Sequence, residues 1–70
     1  MEKLNFIIAK NLSELRRKNK LTQLEVAEKL NYSDKAVSKW EQGESLPGIE
    51  VLYKLAKLYG VSMDYIVGEK

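Results

Sequence analysis

The seventy-residue sequence contains no cysteine, no histidine and a single proline. Without cysteine there is no disulfide framework and no thiolate metal site, a composition suited to a reducing cytosol. Without histidine the chain lacks the commonest general base and metal ligand. Serine, lysine and carboxylates remain, but none forms a nucleophile–base arrangement, so neither catalysis nor a cofactor is expected. Long hydrophobic runs are missing as well. The opening MEKLNFIIAK is interrupted by Asn5 and closed by Lys10, too short for a signal core or a bilayer span. The expectation is a soluble, cytoplasmic chain with no membrane partner.

What is present is one domain's worth of residues, near the lower limit for a single apolar core. The net charge is only +2, but residues 1–40 carry nine Lys/Arg against five Asp/Glu, and residues 41–70 carry three against five. The basic half can face a polyanion, although a few extra lysines more often mark solvated surface.

Apolar spacing is helical nearly throughout, and no stretch alternates as a strand would. Ile8, Leu12 and Leu15 predict a first helix over about 5–18. Thr22-Gln23-Leu24-Glu25 has the form of a capping box, with Leu21 and Val26 placed as a hydrophobic staple, and opens a second helix over 22–30. Asn31 suits a left-handed stop. Ser33 as N-cap and Asp34 in the first turn open a third helix over 33–41, with Tyr32 placed to staple to Val37 and Gly43 ending it. A fourth helix over 48–58 aligns Ile49, Leu52, Ala56 and Tyr59 on one face, and a short fifth spans 62–67 with Val61 and Ile66 as its staple. Short turns join all five, which predicts an all-α domain.

Helices two and three, separated by a short turn, form a helix-turn-helix candidate. Taking Asp34 as the origin of a helix wheel, Ala36, Val37 and Trp40 fall at about 200°, about 300° and about 240°. Ser38, Lys35 and Lys39 fall at about 40°, about 100° and about 140° and join Asp34 on the opposite face. Val37 and Trp40 therefore read as core, together with Leu12, Leu15, Val26, Ala27, Leu30, Leu52 and Leu55. The outward face suits a DNA major groove: Lys35 or Lys39 for guanine, Ser38 for several base edges, Asp34 for a cytosine amino group. The same four residues also describe an ordinary wet helix surface. The free amides near Gln23 suit a phosphate. If the Arg16-Arg17-Lys18 run acts at all, Arg17 and Lys18 would touch phosphates.

The run LTQLEVAEKLNYSDKAVSKWEQGESLP, followed by LYKLAKLYGVSMDYI, resembles the Cro/cI-type helix-turn-helix family, also called the XRE or lambda-repressor-like family. The resemblance covers about residues 8–67 and rests on L-T-Q, A-E-K-L, S-K-W-E-x-G and L-A-K-x-x-G-V-S in that order. It implies a compact five-helix lambda-repressor-like fold. It also implies a bacterial or phage cytoplasmic regulator of transcription that binds double-stranded DNA at a pseudo-palindromic operator, usually as a homodimer and often as a repressor. By position, Gln23 and Ser33 would contact phosphates, and Asp34, Lys35, Ser38 and Lys39 would contact bases or backbone. Arg16 and Glu41 would form a structural pair between helix one and the end of helix three. Val51, Leu58, Met63 and Val67 either line a dimer interface or pack within the monomer. Three positions depart from the family pattern: Asn31 stands for the usual turn glycine, Glu44 adds negative charge to a loop that nears DNA in basic members, and Asp34 needs a cytosine or a lysine. The alternative function is a protein-interaction module, antitoxin-like or co-regulatory, holding a protein partner. The residues also fit the N-terminal domain of a longer regulator.

Overall fold

The computed structural model describes residues 2–68, with side chains from Leu4 onward. The described residues form five helices: α1 (Glu2–Lys18), α2 (Gln23–Leu30), α3 (Asp34–Gln42), α4 (Ile49–Tyr59) and α5 (Met63–Ile66). None is long and apolar enough to cross a membrane. This is the five-helix all-α arrangement that the helical periodicity predicts, and it agrees with the fold that the family resemblance implies.

The helix starts follow local chemistry. The Thr22 hydroxyl accepts from the Glu25 amide at 3.0 Å, and the Glu25 carboxylate accepts from the Thr22 amide at 2.8 Å. Ser33 accepts from the Ala36 amide at 3.2 Å, and Ser62 from the Tyr65 amide at 3.0 Å. Each contact satisfies an amide that the first helical turn leaves without a partner.

The ends of α1 to α4 share one device. In each, a residue in the left-handed region lets the following amide reach back five residues: Leu21 to the Arg16 carbonyl, Tyr32 to Ala27, Glu44 to Lys39 and Val61 to Ala56. The left-handed residues are Lys20 (φ 58°), Asn31 (φ 66°), Gly43 (φ 77°) and Gly60 (φ 69°). Gly43 has a second reason to be glycine, since a Cβ there would sit 3.1 Å from the Phe6 ring. Lys20 carries the steric cost of a long side chain in the left-handed region.

The core joins Ile8, Leu12 and Leu15 of α1 to Val26, Ala27 and Leu30 of α2, Val37 and Trp40 of α3, and Leu52, Leu55, Ala56 and Tyr59 of α4. Ile66 of α5 is fully buried among them. α3 packs against both α1 and α2. Among the described residues Asn11 is the buried polar exception, donating from Nδ2 to the Ile66 carbonyl at 2.9 Å and the Tyr65 carbonyl at 3.3 Å. One side chain thus satisfies the end of α5 and ties it to α1.

One expectation changes. Ile49 does not share the buried face of α4 but is 80 % exposed. The reason is not rotational, since Ala56 lies only about 20° from Ile49 on the wheel and is buried; Ile49 is the first residue of α4, at the very end of that face. Val51 is buried in the monomer's own core, while Leu58, Met63 and Val67 are half-buried against it. Their apolar area is therefore largely covered within the monomer. Tyr32, placed to staple to Val37, meets the Trp40 ring edge-on, with centroids 5.5 Å apart.

Lys20→Gly removes a left-handed strain of about 1–2 kcal/mol and adds back part of it as unfolded-chain entropy, so a net gain of about 0.5–1 kcal/mol is expected. Urea unfolding measures it, and an unchanged or lowered midpoint would refute the strain.

Candidate nucleic-acid interface

α3 is held from three sides before its outer face is considered. Val37 and Trp40 are buried, at 2 % and 6 % exposure, and fix the helix's rotation about its own axis. Ser33 and Gly43 fix its two ends. At the far end the Asn5 side chain donates to the Gly43 carbonyl at 3.4 Å, linking α3 to the start of α1.

The third restraint is ionic. Arg16 Nε donates to Glu41 Oε2 at 2.8 Å, and the two side chains are only 14 % and 6 % exposed. Arg16 Nη1 also donates to the Leu21 carbonyl at 2.9 Å, and Gln23 Nε2 donates to Glu41 Oε1 at 3.1 Å. One carboxylate therefore collects the end of α1, the first residue of α2 and the last turn of α3. The Glu41 hydrogen bond holds the Arg16 guanidinium more firmly protonated than usual, against the opposing effect of partial burial. Tyr59 lies in the same electrostatic neighbourhood. Burial, reinforced by the Glu41 charge, pushes its phenol up to about 12, with Arg16 acting in the opposite direction.

With the helix so fixed, Asp34, Lys35 and Lys39 are exposed and Ser38 is half-exposed. Among the described residues none of the three charged groups forms an ion pair, so they are available to an outside partner. Gln42 belongs with them, beyond the expected set. It falls at about 80° on the same wheel, in the middle of the polar face. Its Nε2 donates to Ser38 Oγ at 2.8 Å. Carrying the wheel one residue past Glu41 finds it. Gln23 is half-buried against Glu41 yet keeps a second amide hydrogen, and the Ser33 oxygen that caps α3 keeps its own hydrogen to donate. Arg17 and Lys18 are exposed in the last turn of α1.

This arrangement is a rigid pair of helices presenting one polar, part-cationic face. A helix-turn-helix family profile matches residues 12–66. The chain belongs to the Cro/cI-type helix-turn-helix family. Among relatives, it is 42 % identical over 62 residues to the HTH-type transcriptional regulator ImmR of Bacillus subtilis, covering 89 % of this chain and 49 % of that protein. It is 39 % identical over 56 residues to the HTH-type transcriptional activator BcrR of Enterococcus faecalis, covering 80 % of this chain and 28 % of that one. The P22 c2 repressor, solved in complex with a synthetic operator, superposes with a TM-score of 0.85 at 28 % identity over 90 % of this chain and 96 % of that one. The chain thus spans half or less of the length of the two regulators.

Glu41→Ala should cost about 2–4 kcal/mol, because it strands a part-buried guanidinium, whereas Arg16→Met combined with Glu41→Leu should cost less than Glu41→Ala alone. Urea unfolding of the variants decides it: if the paired replacement costs as much as the separate losses added together, the two side chains are not coupled.

Proposed function

We propose that the protein is a sequence-specific DNA-binding transcriptional regulator, a repressor that binds a pseudo-palindromic operator as a homodimer. The observation that carries this reading is the outer face of α3. Asp34, Lys35, Ser38 and Lys39 project from a helix whose rotation is fixed by buried Val37 and Trp40, whose ends are capped, and whose last turn is held by the part-buried Arg16–Glu41 pair. A solvated helix face does not require such restraint; a face that must match base edges does.

In this reading α3 enters the major groove. Lys35 or Lys39 donates to guanine O6/N7, and Asp34 accepts from a cytosine amino group. Ser33, Gln23 and the free amides at the start of α2 hold a phosphate at one wall of the groove. Arg17 and Lys18 approach the backbone from the end of α1. Glu44, exposed just after α3, keeps the following loop from adding phosphate contacts. The P22 c2 repressor's operator complex supports DNA as the partner class, and ImmR supports regulation. Two reading helices on one operator would stand about 34 Å apart, one turn of DNA.

In vitro selection from random DNA should return a half-site sequence repeated as a palindrome. Affinity for that site should fall about 10³-fold between roughly 50 and 200 mM salt if about six phosphates are contacted, and a flat salt titration would refute the mode. Lys35→Ala or Lys39→Ala should weaken specific binding by about 1–3 kcal/mol for whichever lysine reads a base. Equal losses on selected and scrambled DNA would reduce that lysine to a backbone contact.

A further inference from the structure

Of the four left-handed helix ends, three carry residues that adopt that conformation readily: Asn31, Gly43 and Gly60. The end of α1 carries Lys20, at φ 58°. Its backbone is pinned on both sides. The Lys20 amide donates to the Arg17 carbonyl at 2.9 Å, and the Leu21 amide to the Arg16 carbonyl at 3.1 Å. The Leu21 carbonyl in turn accepts from Arg16 Nη1 at 2.9 Å. The turn therefore holds a lysine in a conformation that suits glycine better. A residue that breaks a local rule in this way points to a use for its side chain.

That use lies outside the domain. Lys20 is exposed and forms no ion pair among the described residues. Residues 15–24 hold four of the chain's twelve Lys/Arg and no Asp/Glu. Arg16 is turned inward to Glu41, which leaves Arg17, Lys18 and Lys20 exposed. The next acid along the chain, Glu25, is engaged by the Thr22 amide. The carbonyl end of α1 attracts Arg17 and Lys18 in its last turn, but that attraction falls off within the turn, and Lys20 lies past it.

We infer that Lys20 is a DNA backbone clamp: its ammonium binds a phosphate, and the left-handed strain is what places it there. This inference rests on the proposed DNA-binding reading, which gives Lys20 no role. Lys20 stands three residues before Gln23, at most about 11 Å away between Cα atoms. That is within a few nucleotide steps of a phosphate held at the start of α2. Its place relative to α3 is set as well, because Arg16, which holds the Leu21 carbonyl, and Gln23 both donate to Glu41. A lysine ammonium is a compact point charge on a flexible stem, suited to a phosphate and indifferent to sequence. Stability and binding are therefore opposed at this one position.

The test joins urea unfolding to DNA binding over a range of salt, on the selected site and on a scrambled duplex. Lys20→Gly should raise the urea midpoint and yet weaken binding about three- to tenfold near 0.1 M salt, equally on both duplexes. The slope of log affinity against log salt should become shallower by about 0.9, the share of one phosphate. Lys20→Arg should keep the wild-type slope and gain no stability. Lys54→Ala removes the same charge from α4 and should leave the slope unchanged. Lys20→Gly with wild-type affinity and slope overturns the inference while the operator reading stands. A loss confined to the selected site also overturns it, since the contact would then be to a base, as does a Lys54→Ala slope change equal to that of Lys20→Gly. An unraised urea midpoint removes the strain and overturns it too. A wild type that binds neither duplex brings down the operator reading and this inference together.

Discussion

The Glu41 carboxylate is the constraint on which the rest of this small domain depends. It lies almost out of water and receives Arg16 from α1 and Gln23 from α2 while itself belonging to the last turn of α3. Arg16 extends the connection to the Leu21 carbonyl in the turn between α1 and α2. Apolar contacts alone would hold α3 against its neighbours but tolerate some sliding and rotation. Directional hydrogen bonds to one carboxylate permit far less, because each has a preferred distance and angle. A part-buried ion pair is a weak source of net stability. Its effect here is geometric: it ties the α1–α2 turn and the start of α2 to the helix whose face is exposed.

The remaining restraints are arranged to the same end. α3 begins at a serine cap and ends at a glycine in the left-handed region, and that glycine is also where Phe6 and Asn5 of α1 come down on it. Four helix ends reuse one backbone device, so short turns can reverse the chain while satisfying carbonyls at the helix ends. In a domain with so few core residues, such local satisfaction matters because burial supplies little surplus stability. Lys20 is the point where this pattern is imperfect.

Much of the architecture was legible along the chain. The T-Q-L-E capping box is written in consecutive residues and forms as written, because both of its hydrogen bonds span only three positions. Asn31, Gly43 and Gly60 mark their helix ends for an equally local reason. Helix limits shifted by three residues at the start of α1 and by no more than one elsewhere. The polar face of α3 was also legible, since a helix wheel needs only the rise and turn of the backbone. Gln42 escaped because the predicted helix stopped one residue early.

What the sequence by itself determined is local: where each helix starts and stops, which stripe of each is apolar, and which charges share a face. What only the tertiary structure decided is how those stripes are divided among neighbours. Asn11 looks like any polar residue on α1 until α5 brings two carbonyls to it. Val51 and Ile49 are both apolar residues in the first turn of α4, yet one is enclosed by the core and the other stands in water. Periodicity gives the direction of a side chain but not what lies there. Burial depends on elements distant along the chain, and their positions follow from packing the whole core at once.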